Sequence, residues 1–174
     1  MAFHGAQVAV GTIFAAIAWD IVLNELDPKT VDVDKCFPAA EAMEPVVREA
    51  FSWISDTAAE ECWSRYQKKL SAWHGQKEAL RKFLDDWDSF RDEVRSRLVT
   101  AEYLTKMMHE AGCPTRYSQM TPAIDAKTGR WAVRDCHLYR NRFTLVDFLY
   151  YIGWWNDAFL DRVISRAAEL DAGL

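Results

Sequence analysis

Residues His4 to Leu26 read HGAQVAVGTIFAAIAWDIVLNEL. From Val8 to Trp19 nearly every residue is apolar, so all sides of a helix formed there would avoid water, as expected of a helix packed inside a domain. Such a helix must be surrounded, and the stretch therefore predicts a multi-helix bundle around a buried central N-terminal helix. The twelve residues of this run fall short of the about 20 needed to cross a bilayer, and no basic residue precedes them as a secretory signal requires. At the front edge His4 brings a titratable, ligand-type imidazole, and Gly5 lets backbone approach something closely. That edge is the first candidate for chemistry.

Working outward, Asp27-Pro28-Lys29 and the following VDVD break the periodicity and predict a loop. Pro45 predicts a helix start, with Val46, Val47, Ala50, Phe51 and Ile54 on one face, and Ser55-Asp56-Thr57 offers caps for the next helix. That helix carries Ala59, Cys62, Trp63, Tyr66, Leu70 and Trp73 at steps of three and four and ends near Gly75. From Glu78 a single amphipathic stripe runs through Phe83, Trp87, Phe90, Val94 and Leu98. Thr100 predicts a cap for a helix with Leu104, Met107, Met108 and Ala111 inward, stopped by Gly112 and Pro114. Thr121-Pro122 reads as cap and first-turn proline of a helix that Gly129 weakens before Trp131 to Tyr139. Thr144 caps LVDFLYYI, and Asn156 or Asp157 caps a last helix with Phe159, Leu160, Val163, Ile164 and Ala167 inward. No run alternates as a strand does, so the expected class is all-α, one helical domain over residues 1–174 with short connections.

Composition bounds the function. The 174 residues, 50% hydrophobic, suffice for one core. A net charge of -5 with Lys and Arg scattered among acids offers no basic stripe for a nucleic-acid backbone, so nucleic acid is excluded as a partner. Cys36, Cys62, Cys113 and Cys136 form no CxxC pair, which argues against a zinc finger or a dense disulfide framework and for reduced thiols in the cytoplasm.

Few residues present themselves for chemistry. His4 stands at a helix start beside glycine, where an imidazole can reach a metal, although one histidine is not a metal site. His74 and His109 sit at loop boundaries or on polar helix faces and read as solvated. The stretch WAVRDCHLYRNRFTLVDFL, Trp131 to Leu149, places Arg134 and His137 on one face of a helix. Arg140 and Arg142 fall at or just past its end, where they can grip a phosphate or carboxylate. Cations there also complement the helix dipole without any ligand, for about 0.3 to 1 kcal/mol each. No GxSxG, Walker loop or HExxH is present.

Taken together, these stretches resemble a known family. HGAQVAVGTI is similar to the HGEQVxxGT block of the iron-containing alcohol dehydrogenase superfamily, in its sn-glycerol-1-phosphate dehydrogenase branch. WSRYQKKLSAW, FLDDWDSFRDEV, AGCPTRYSQM and HLYRNRFTLVD resemble, in order, blocks of that branch's C-terminal helical domain. The last two are its AGxP loop and its R-x-R-Y-T-x-x-D segment, here with Phe143 in place of Tyr. The resemblance spans essentially the whole chain and implies a dehydroquinate synthase-like C-terminal helical domain. Family members use a divalent metal (Zn, Ni or Fe) and NAD(P)H to reduce dihydroxyacetone phosphate to glycerol 1-phosphate, a step of phospholipid biosynthesis. Their metal is held by one Asp and two His, and His4 matches the second histidine. In the same light Arg140 and Arg142 become candidates for the substrate phosphate.

Two departures shape the expectation. Ala6 stands where the family has Glu, and the N-terminal nucleotide-binding domain, with the Asp ligand and the first His, is absent. The resemblance therefore implies the metal-and-substrate half of such an oxidoreductase, binding neither metal nor NAD(P) alone and inactive alone. The alternatives are a free-standing helical protein-interaction module and one half of a split enzyme. An uncovered face around His4, Val8 and Thr12 would favour a homo-oligomer or the missing N-terminal domain as partner. No membrane insertion is expected.

Overall fold

A computed structural model describes residues 4–174, and most of them are helical. The helices are α1 (His4–Glu25), α2 (Ala40–Ser52), α3 (Asp56–His74), α4 (Lys77–Asp85), α5 (Trp87–Arg97), α6 (Ala101–Glu110), α7 (Ala126–Arg134), α8 (Leu145–Tyr151) and α9 (Asp157–Glu169). Single 3-10 turns lie at Pro28–Thr30, Val33–Lys35 and Tyr117–Gln119. Among the described residues there is no strand, only an isolated bridge pairing Arg116 with Gly173. The protein is all-α.

Two compact units share the chain. The first holds α1 through Leu26, Asp88–Arg134 and Asp157–Leu174. In it α1 packs against α6 and α9, burying Val10, Ile13, Phe14, Ala16, Ile17, Ala18, Val22 and Leu23. Phe14 stacks on Tyr117 at 6.2 Å, and the segment after α9 is tied in by Tyr117 N–H to Gly173 O (2.9 Å) and Gly173 N–H to Thr115 O (2.8 Å). The helix does not avoid water on every side. Val8 is 50% exposed and Ala15 is exposed too, because the small residues on that side add little apolar area. At 22 residues α1 is long and apolar enough to cross a membrane by length and composition, with half of its most apolar window buried inside the chain. This corrects the length argument made from twelve residues.

Asp27–Trp87 and Asp135–Asn156 make the second unit, built on the α2–α3 hairpin. Ser55 accepts from Ala58 N–H at 3.0 Å and starts α3 as its sequence predicts. Trp73 near the end of α3 centres an aromatic stack, with Phe37 at 5.1 Å, Phe143 at 4.8 Å and Tyr151 at 5.1 Å. Its indole N–H donates to Cys36 O at 2.7 Å.

Several boundaries differ from the sequence reading. α2 begins at Ala40 and carries Pro45 inside it. Its buried face is Met43, Val47, Ala50 and Phe51, leaving Val46 and Ile54 exposed. The stripe from Glu78 is two helices, parted at Asp86, whose ψ of 16° leaves the helical range; short polar side chains such as Asp compete with the helical backbone. α6 starts behind Thr100 as expected but buries Ala101 and Thr105, with Met107 exposed. α7 starts at Ala126 rather than Pro122, where Asp125 accepts from Thr128 N–H and Oγ1–H at 2.9 Å each.

Gly129 does not interrupt α7, and packing explains its presence. A Cβ there would lie 2.8 Å from Tyr117 Cδ2 and 2.9 Å from Leu174 Cδ2. Overpacking of this kind costs about 1–3 kcal/mol, against at most about 1 kcal/mol regained in helix propensity. Gly129→Ala should therefore destabilise the protein by up to about 2 kcal/mol, read as a lowered thermal midpoint; an unchanged or raised midpoint would show that the Tyr117 ring yields freely.

Candidate functional site

The titratable groups that the second unit buries together belong to α3, α8 and the chain leading into α8. On α3, Lys69 falls on the same side as Tyr66, Leu70 and Trp73, so its ammonium is carried inward; its side chain is 3% exposed and that of Asp147 on α8 is 0% exposed. Thr144 and Asp147 form a capping box. Asp147 Oδ2 accepts from Thr144 N–H and Oγ1–H, each at 2.8 Å, and Oδ1 accepts from Lys69 Nζ. Lys69 Nζ also donates to the backbone oxygen of His137 and lies 4.7 Å from the centre of the Tyr66 ring. The Tyr66 and Tyr151 hydroxyls are hydrogen-bonded at 3.0 Å.

Electrostatics follow from burial. Loss of water pulls the Lys69 ammonium below its usual range and is opposed by the Asp147 charge. The same loss pushes the Asp147 carboxyl up, opposed by Lys69 and by the Thr144 hydrogen bonds. Burial, with the nearby Asp147 and Asp135 charges, raises the Cys136 thiol to about 12, and burial raises Cys36 to about 11. Both are poor nucleophiles at neutral pH. All four cysteines are free thiols.

The basic segment departs from its predicted form. α7 ends at Arg134 and residues 135–139 are turns and a bend, so Arg134 and His137 do not share a helical face. His137 is buried, its ring 4.7 Å from that of Tyr150. Arg140, Asn141 and Arg142 are exposed on the loop before Thr144. The Arg140 guanidinium sits 4.9 Å over the Tyr139 ring. Among the described residues, neither Arg140 nor Arg142 is paired with a carboxylate.

His4 occupies the first turn of α1 and is exposed. A Cβ added at Gly5 would meet nothing within 4 Å, so that edge is open. Among the described residues no group of three or more His, Cys, Asp or Glu could hold a metal ion, and the donors present around His4 do not by themselves fit one. His74 Nε2 is 2.9 Å from Pro38 O, and His109 Nε2 is 2.8 Å from Thr115 Oγ1. An open cleft of about 630 Å³ between α2 and α3 is lined in part by Arg48, which is paired with Glu44 at 2.7 Å and with Glu60 at 2.6 Å.

Sequence reasoning missed the Lys69–Asp147 pair. The Thr144-x-x-Asp147 spacing marks the helix start alone and carries no sign of the distant lysine. Comparison of the chain with family models, with curated proteins and with solved structures finds no match.

Proposed function

We propose that this chain is the helical, metal- and substrate-facing half of a glycerol-1-phosphate-dehydrogenase-like oxidoreductase, with a dehydroquinate synthase-like helical architecture. The observation that carries the reading is the ordered run of sequence blocks that begins at His4 and ends at Asp147. The exposed place of His4 on the open edge of α1 supports it, because an imidazole there is accessible to groups from another polypeptide segment. In this reading His4 is one metal ligand, and the other ligands and the nicotinamide cofactor come from residues outside those described. Arg140 and Arg142 bind the substrate phosphate through charge-assisted hydrogen bonds. The reading places the protein in the cytoplasm, working with a nucleotide-binding half or as a self-associated assembly.

The test mixes the protein with a separately produced nucleotide-binding half of a glycerol-1-phosphate dehydrogenase, a divalent metal, NADH and dihydroxyacetone phosphate. Metal-dependent NADH oxidation should appear in the mixture alone and fall roughly 100-fold or more with His4→Ala. Arg140→Ala and Arg142→Ala should each raise KM about tenfold or more, the size of a lost hydrogen bond to a charged group. No activity in the mixture, or activity indifferent to His4→Ala, overturns the reading. A second reading, a helical protein-interaction module, draws on Trp53 and Ile54 at the α2–α3 turn, 61% and 50% exposed. It would be favoured by saturable binding of a partner protein that Ile54→Asp abolishes while metal and nucleotide titrations stay silent.

A further inference from the structure

The loop that carries Arg140 and Arg142 is closed at both ends by the same two side chains. At its start the His137 backbone oxygen accepts from Lys69 Nζ. At its end Thr144 donates through N–H and Oγ1–H to Asp147 Oδ2 at 2.8 Å each. Lys69 and Asp147 are joined to each other and are both buried, so the two loop ends are linked through one ion pair shielded from water and salt. Leu138 just inside the first end is buried, and Phe143 just inside the second stacks on Trp73 at 4.8 Å. Only Arg140, Asn141 and Arg142 are left exposed between Tyr139 and Phe143, apart from the exposed ring of Phe143 itself.

We propose that Lys69 and Asp147 are positioning residues, a buried clamp that fixes the His137–Thr144 loop and so sets the spacing at which Arg140 and Arg142 grip a phosphate group. The proposal rests, for its ligand, on the phosphate reading of those arginines. Its physical content is preorganisation. An unclamped loop of this length spends binding energy on ordering its own backbone and two long side chains, and a clamped one does not. Neither Lys69 nor Asp147 touches the ligand.

Trypsin reads the clamp directly, because it cuts after Arg140 and Arg142 when the loop opens. Cleavage after Arg81 on α4, a side chain 48% exposed in the same unit as the loop, serves as the internal reference for that unit. Lys69→Met should raise cleavage after Arg140 and Arg142 about tenfold or more over that reference, since proteolysis follows the population of the open form. Thr144→Ala, which loosens one end at the surface, should do so to a smaller extent and serves where Lys69→Met does not fold. Affinity for inorganic phosphate, followed by NMR shifts, should fall about tenfold in the same variants, equivalent to one loop-ordering cost. Loop cleavage that stays at the parent rate, or that rises no more than cleavage after Arg81, overturns the clamp. If the parent protein binds no phosphate, or Arg140→Ala and Arg142→Ala leave that binding intact, the phosphate reading falls instead, and the protease ratio still decides the clamp by itself.

Discussion

Lys69→Met lowers the stability of the protein by about 3–5 kcal/mol at neutral pH, the expected size when one partner of a buried ion pair is removed and the other stays behind as an uncompensated charge. The carboxylate left behind is that of Asp147, whose side chain is 0% exposed. The companion variant Lys69→Met/Asp147→Leu should recover most of the loss, because two apolar side chains of similar volume need no ionic compensation. Urea denaturation of the parent, the single and the double variant closes the cycle. The single variant also carries a pH signature. Burial already pushes the Asp147 carboxyl up with Lys69 present, and without Lys69 nothing but Thr144 holds it down. A carboxyl raised in the folded state favours folding below its unfolded value near 4 and loses that contribution as pH rises through the folded value. The deficit of Lys69→Met should thus be smallest near pH 4 and grow as pH rises from there. A loss under about 1 kcal/mol, or a deficit that does not change with pH, would mean that water reaches the pair.

The second large effect is at Trp73. Trp73→Ala removes the ring against which Phe37, Phe143 and Tyr151 stack, and truncations of this kind cost about 3–5 kcal/mol. Trp73→Phe keeps an aromatic surface but leaves Cys36 O without the indole N–H that now reaches it at 2.7 Å. Its cost should be smaller, about 1–3 kcal/mol for the unmet acceptor. Chemical denaturation followed by circular dichroism separates the two, and equal losses would show that the hydrogen bond rather than the stack carries the energy.

What the sequence made legible was local. Ser55, Thr100 and Thr144 start α3, α6 and α8 because each hydroxyl accepts from the N–H three residues on, a signal contained within four residues. Gly112 ends α6 for the same kind of reason, with φ at +68°. Features set by distant partners were not legible. Gly129 reads as a weak point until Tyr117 and Leu174 are packed beside it. Lys69 and Lys68 look alike in sequence, and the pairing with Asp147 is made 78 residues away. The break at Asp86 and the late start of α7 reflect the same limit, since periodicity says which residues want burial and not where a helix must bend to bury them. For the candidate site, the place of His4 at a helix start was legible, whereas the turns around His137 that unseat it from Arg134 were not.

The first unit is assembled from three separated stretches, and α1 packs against α6 and against α9, which begins at Asp157. On a ribosome extending the chain at about 5–20 residues per second, the long apolar side of α1 is made several seconds before α9. During that interval the side of α1 that α9 covers is apolar surface without its partner. Within this unit synthesis and assembly run against each other, because α1 is enclosed only once α9 has been made.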